Sequence, residues 1–302
     1  MNLRKQMEQS DRAIDRLLAS GNRRTREVFR EALENSKGIL AEFFEKYERD
    51  GRLHYDDLSK YNRKRALERE IRKELAKMNN RAVQRMRSTL RETFEESYYR
   101  TGWYVENATK TRVIPIMKDE FIEAALENEI SGLDWATRMG RNREEIVIQI
   151  NESITQGLNE GETYSQMAQR LNDRLSVGTS KTERIVRTEG HRIQEEAKTR
   201  ALDGASERGI KMVKRWVTSA DERVRDRHIE MEGQEVEYEE DFELPDGTRG
   251  RYPGAMGNAE DDINCRCIYV VEVVRVDADP SPTVQDISSL EEWKSKRMDK
   301  VA

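Results

Sequence analysis

Eight apolar residues set the strongest constraint on this chain. Leu67, Ile71, Leu75, Met78, Ala82, Met86, Leu90 and Phe94 follow one another at steps of four, four, three, four, four, four and four. A helix of about 3.6 residues per turn places all of them on one stripe, whereas a strand would scatter them over both faces. The pattern predicts a long helix from about Asp56 to Tyr99 with one buried face. The rest of the composition agrees, because charged residues make up 37% and hydrophobic ones 35%. Cores must then be thin, which suits amphipathic helices better than a doubly wound sheet with its buried apolar strands.

Most of the chain reads the same way. Residues 1–48 read as one or two helices, with Leu17-Leu18, Val28-Phe29 and Ile39-Leu40 as apolar contacts and Gly21 and Gly38 as candidate breaks. Asp50-Gly51 signals a turn, Thr101-Gly102 a break and Ile114-Pro115-Ile116 a short extended link. Trp135, Met139, Arg143, Ile146, Ile150, Ile154 and Gly157 share one helical face, and Thr163-Tyr164-Ser165-Gln166 has the form of a capping box. After Val177-Gly178 a helix is expected from about Lys181 to Glu207. Its seam of Val186, Gly190, Ile193, Ala197 and Ala201 is small enough to admit a neighbouring helix closely.

At Gly209 the texture changes. Lys211 to Thr218 alternates, with Met212, Lys214 and Trp216 on one side and Val213, Arg215 and Val217 on the other, while Cys265 to Val274 is apolar and β-branched. Both read as strands, with Asp221 to Met231 as one short helix between them. The expected fold class is mainly α, an elongated helical N-terminal body with a small C-terminal α+β module. The expected segments are a charged helical region at 1–110, a helical middle region at 111–208, the module at 209–276 and a mobile tail at 277–302 with a short helix near Trp293.

Charge divides the chain unevenly. Residues 1–110 carry 26 Lys/Arg against 19 Asp/Glu, a balance of +7, and the remainder carries 28 against 40, a balance of -12. Such halves suit different partners. No window approaches the roughly 18 consecutive apolar residues of a membrane helix, and Met1-Asn2-Leu3-Arg4-Lys5 leads into polar residues rather than a secretory core. Two cysteines one residue apart cannot build a disulfide framework, so a reducing cytoplasm is the expected site of synthesis.

The last third holds both cysteines, two of the three histidines and three Gly/Pro turn signals. In order it reads Arg187-Thr188-Glu189, Trp216, Asp221-Glu222-Arg223-Val224-Arg225, His228, Met231-Glu232-Gly233, Phe242, Pro253-Gly254 and Asn264-Cys265-Arg266-Cys267. This order and spacing, over about residues 160–272, resembles the MuF-like head morphogenesis proteins, the minor head proteins of tailed bacteriophages and prophages. The resemblance marks Arg187, Glu189, Trp216, Asp221, Arg225, His228, Gly233, Asn264, Cys265 and Cys267 as the residues that define the module. It implies a low-copy protein of the virion interior and procapsid that associates with portal, scaffold or major capsid protein. It also implies, for some members, non-specific DNA binding that influences packaging or exit of the genome. Some relatives carry C-terminal toxin or enzyme domains, for which this chain leaves no room after the motif.

Three chemical readings compete at particular residues. Cys265 and Cys267 flank one residue on a predicted strand, so both point to one face, and His228 alongside would complete three zinc ligands. A structural zinc, the one cofactor indicated, needs a fourth, for which Asp221, His191 and water are candidates. The plainer alternative makes the cysteines core residues and gives His228 a fold-locking hydrogen bond. A metal-dependent nuclease or hydrolase centred on His228, Cys265 and Cys267 would need Asp221 to orient the histidine as a base, but no complete set of nucleophile, base and stabiliser can be named. Arg187 and Glu189 could mimic the charged pair of a nucleotide-binding transferase, although mid-helix they fit an ion-pair network better. Finally, Arg63, Lys64, Arg65, Arg72, Lys73, Arg81 and Arg85 could track a phosphate backbone, or form a solvated face interleaved with Glu68, Glu70 and Glu74.

Overall fold

The computed structural model describes residues 3–56, 62–130, 132–277 and 289–298. The helices given bounds among the described residues come first: α1 (Leu3–Tyr47), α2 (Arg63–Thr109), α3 (Asp119–Glu127), α4 (Trp135–Glu160) and α5 (Tyr164–Glu207). Then follow β1 (Ile210–Val217), α6 (Asp226–Ile229), β2 (Glu235–Glu237), β3 (Phe242–Glu243), β4 (Arg249–Gly250), α7 (Ala259–Asp262), β5 (Ile268–Val276) and α8 (Leu290–Met298). The protein is thus mainly α with a small C-terminal α+β module. The stripe on α2 is buried along its whole length, every member from Leu67 to Phe94 being at most 2% exposed.

The chain forms two compact units from discontinuous segments, one of Met1–Ala19, Ser88–Gly132 and Arg187–Ala302, the other of Ser20–Arg87 and Leu133–Val186. In the second unit, polar ties fix the helices around the apolar stripe. Arg81 pairs with Glu31 at 2.7 Å and Arg26 with Glu183 at 2.7 Å. Asn142 of α4 is buried and donates to Gly178 O of α5 at 2.8 Å and to Thr182 Oγ1 at 2.9 Å. At the turn into α5, Gln166 Oε1 accepts the Thr163 N–H at 2.9 Å, one half of the expected capping box.

The first unit contains the sheets. β1 is the central strand of the antiparallel order β2-β1-β5, with Trp216 opposite Tyr269, and β3 pairs with β4. Alternation along β1 buries Ile210, Met212, Lys214 and Trp216 on one face, as the sequence predicts. Two buried charged nodes join distant segments here. Lys198 of α5 donates to both oxygens of Glu195 at 2.8 and 3.0 Å and to Tyr269 O at 3.0 Å, and lies 3.5 Å from Asp11 of α1. Glu106 accepts the N–H groups of Val113 and Ile114 on one oxygen and the Trp293 indole N–H on the other, at 3.0, 2.9 and 2.9 Å. The second node fastens α8, where Trp293 is 1% exposed. The expected mobile stretch of the tail falls mostly on residues 278–288 and 299–302, outside the described residues.

Several expected breaks are corrected. Gly21 and Gly38 lie within α1, Gly102 within α2 and Gly178 within α5. A helical glycine costs only about 1 kcal/mol relative to alanine, and burying a single flanking Leu, Val or Phe contributes about 1.5–3 kcal/mol. At Gly102 the missing side chain has a purpose, because a Cβ would stand 3.0 Å from Ile114 and 3.1 Å from Trp293. Gly178, Gly190 and Gly204 of α5 are tighter still, admitting Ile146, Leu18 and Pro115 respectively to where a Cβ would be. The helix expected over Asp221–Met231 shrinks to Asp226–Ile229. The Asp221 carboxylate accepts the Arg223 N–H at 3.0 Å, a local turn that competes with helix formation. The last strand starts at Ile268, so Cys265 and Cys267 precede it rather than lie on it.

Two predictions follow from this packing. Gly204→Ala presses a Cβ onto the stiff Pro115 ring and should destabilise by about 1–3 kcal/mol despite better helix propensity; in a Pro115→Ala background the cost should shrink, as denaturant titration of the four variants will show. Lys214 is fully buried and donates to Arg251 O at 2.7 Å, with no carboxylate in contact among the described residues. Burial, reinforced by the Arg251 charge, pushes its pKa down to about 8. The folded lysine therefore loses its proton before the unfolded one, and stability rises with pH between the two values, while below about 8 the full penalty remains. Relative to Lys214→Met, the parent should gain stability from about pH 7.5 to about pH 9.5; parallel pH profiles would show that Lys214 titrates normally.

Candidate metal centre

The site is assembled by α6, α7 and the segment entering β5. Arg225, just before α6, donates to Ile263 O at 2.6 Å and holds the helix against that segment. His228 on α6 is 1% exposed, with the Trp216 ring against it edge-on at 5.4 Å and 80°. Trp216 in turn meets Phe242 at 5.3 Å and 87°. On the far side, His228 Nε2 lies 3.0 Å from Asp261 Oδ1. A carboxylate only accepts, so this contact places the neutral ring's proton on Nε2 and turns the Nδ1 lone pair the other way.

What Nδ1 faces are the two thiols. Cys265 Sγ is 3.8 Å away and Cys267 Sγ 3.6 Å, and all three atoms lie within 4.8 Å of one another. The entering backbone achieves this without a strand. Asn264 takes φ of 59°, a left-handed conformation that asparagine tolerates, and its N–H donates to Thr188 Oγ1 of α5 at 3.1 Å. The two cysteines and His228 are thus brought together by a turn and not by strand alternation.

Charge at the site is tightly managed. The Cys265 thiol is pushed up to about 11 by its hydrogen bond with Cys267 and by burial, against the pull of His191 and His228. Cys267 is held below the usual thiol range, first by Cys265 and then by the Trp216 indole and the charges of Arg225 and Arg266, with burial opposing. Of the two thiols, Cys267 is thus the more acidic. Burial disfavours the His228 imidazolium, but Cys265 and Asp261 outweigh it and leave the pKa raised.

The other module-defining residues act around this centre. Asp221 is not beside His228; it forms a two-pronged ion pair with Arg266, which chiefly holds its carboxyl far below the ordinary range. An Asp221-oriented histidine base is thereby corrected to Asp261. Gly233 has φ of 77° and donates its N–H to Trp216 O at 3.0 Å, closing the return to β2. Arg187 is exposed, while Glu189 is fully buried and accepts from Arg192 at 3.0 Å. Among the nucleic-acid candidates, Arg65, Arg72, Lys73, Arg81 and Arg85 are exposed and Arg63 and Lys64 partly so. Lys64 pairs with Glu68 at 3.4 Å, Lys73 with Glu70 at 2.8 Å and Arg81 with Glu31 at 2.7 Å, and Arg63 sits 4.3 Å over the Tyr47 ring. Arg81 and Arg85 line a groove of about 760 Å³ together with Glu27, Glu31 and Glu34.

Asp261 and its supports are functional residues the sequence reading missed. Asn258 caps α7 by accepting the Asp261 N–H at 2.8 Å and donates to Asp261 Oδ2 at 2.8 Å, and Arg227 Nε reaches Oδ1 at 2.8 Å. A signal existed, since an Asn followed three residues later by an acid is an N-terminal helix signature. Trp216→Ala removes a wholly buried aromatic that supports His228 and Phe242, and should destabilise by about 3–5 kcal/mol. Denaturant unfolding followed by near-ultraviolet dichroism checks this, and a variant that unfolds like the parent would refute the packing role.

Comparison with known proteins supplies the lineage. The family described as Phage Mu protein F like protein matches residues 148–270, the stretch holding the second half of α4, all of α5, β1 to β4, the start of β5 and the His228 centre. The minor head protein GP7 of Bacillus phage SPP1 is 33% identical over 271 residues, covering 88% of this chain and 87% of that protein. An NAD(+)--arginine ADP-ribosyltransferase, EFV, of Enterococcus faecalis is 27% identical over 210 residues, 68% of this chain but 43% of the relative. No solved structure matches. With a family segment that takes in α5 and most of the module, and a minor head protein matched over 88% of the chain, the chain belongs to the Mu protein F-like family of phage head proteins.

Proposed function

We propose that this chain is a minor head protein of a tailed phage or prophage that docks onto portal, scaffold or inner capsid proteins during head assembly, and that it works by binding rather than catalysis. The match to the SPP1 minor head protein carries the reading. It extends over 271 residues, well beyond the 148–270 family segment, so the N-terminal helices are shared as well as the module. The ADP-ribosyltransferase shares less than half of its own length with this chain, so its name does not carry an activity over. The structure of the His228 centre favours the same conclusion. His228, Cys265 and Cys267 are each at most 3% exposed, and Glu189 is wholly buried, so neither a phosphodiester nor a nucleotide has access to them.

Quantitative mass spectrometry of purified particles and DNA-free precursor heads tests the proposal. The expected result is a few copies per particle beside an abundant major capsid protein, with recovery of portal or scaffold on a tagged copy of the chain. Absence from both kinds of particle would overturn it.

A further inference from the structure

We infer that Cys265 Sγ, Cys267 Sγ, His228 Nδ1 and the imidazole of His191 form a closed structural zinc site that clamps α5, α6 and the entry to β5 together. The distances fit. Zinc bonds of about 2.3 Å to sulfur and about 2.0–2.1 Å to nitrogen in a tetrahedron imply a sulfur–nitrogen edge of about 3.6 Å. The two observed separations are 3.6 and 3.8 Å, in a group whose atoms all lie within 4.8 Å. The ion would therefore enter with little rearrangement of these three side chains.

Two further features point to a metal rather than to an ordinary packed core. Asp261 holds Nε2 of His228 at 3.0 Å, the carboxylate–histidine pairing that orients a metal-bound imidazole and keeps Nδ1 available. Asp261 is itself fixed by Arg227 and Asn258, so the pairing is rigid. Independently, His191 on α5 is only 8% exposed, and its Nε2 has no hydrogen-bond partner among the described residues. The ring is packed over Gly254, where φ is +91° and a Cβ would come 3.1 Å from His191 Cδ2, and it is near enough to Cys265 to draw that thiol's pKa down. A buried imidazole nitrogen needs a partner, and the His191 ring, which lies outside the close group of three, would turn to bond the zinc as fourth ligand.

The charge balance also works. Two thiols binding one zinc ion release two protons, and the two thiolates neutralise the ion, so that no net charge is buried. A sulfur- and imidazole-rich tetrahedron selects zinc over the oxygen-seeking divalent ions. Four protein ligands leave no open position for water, which makes the site structural and not hydrolytic.

The test uses the full chain, purified under reducing conditions without chelator. Elemental analysis should find about one zinc per chain. After chelation, Co²⁺ titration should give thiolate charge-transfer absorption and the intense visible bands of a tetrahedral ion. His191→Gln, chosen because it leaves both thiols and the His228–Asp261 pair in place, should keep the thiolate band, alter the visible bands and weaken Co²⁺ binding at least about tenfold. A reduced, folded parent that retains no zinc and shows no cobalt–thiolate band would overturn the site. Visible bands and affinity unchanged in His191→Gln would overturn the closed four-ligand arrangement.

Discussion

The missing Cβ atoms along α5 are the constraint on which the remaining packing depends. Gly178 admits Ile146 of α4, Gly190 admits Leu18 of α1 and Gly204 admits Pro115 of the link after α2. Each contact lets a neighbouring segment come closer than any side chain would allow, and close approach multiplies dispersion contacts that are individually about 0.1–0.2 kcal/mol. With charged residues this abundant, the chain cannot rely on a thick apolar core. It obtains its density from a helix with a small-residue seam, which other segments approach at van der Waals distance.

Buried charge handles what apolar contacts cannot. Lys198 joins Glu195, Asp11 and the carbonyl of Tyr269, linking α5, the start of α1 and β5. Glu106 gathers three donors and so fixes both the extended link and Trp293 of α8. Such groups are tolerated because each finds partners, and they define register, since an ion pair displaced by one residue would strand a charge in the interior. The His228 centre follows the same logic. Asn258 caps a four-residue helix, the cap positions Asp261, and Asp261 fixes the ring that faces Cys265 and Cys267.

Much of this was legible in advance, for reasons that differ from residue to residue. The α2 stripe and the alternation of β1 were readable because helix and strand periods are local properties of the backbone. The meeting of His228 with the two cysteines was readable because a pair so close in sequence has few ways to part. Gly190 was read as part of the α5 seam, but Gly21, Gly38, Gly102 and Gly178 were misread as breaks. A glycine in a helical pattern looks the same whether it ends the helix or admits a neighbour, and only the neighbour decides. Asp221 entered only as the histidine's orienting group in the hydrolase alternative, because a helix over Asp221–Met231 would put both on one face. The actual partner, Asp261, lies 33 residues away, and Arg266 competes for Asp221 with a better fork.

The sequence by itself determined the helical class, the C-terminal module, its family and the three side chains at the centre of the site, because periodicity, turn chemistry and motif order are written in neighbouring residues. Only the tertiary structure decided which glycines are seams, which carboxylate holds His228, and that residues 1–19 join residues 88–132 and 187–302 in one compact unit. These depend on which surfaces exclude water together, and burial is a property of the folded chain that no local pattern carries.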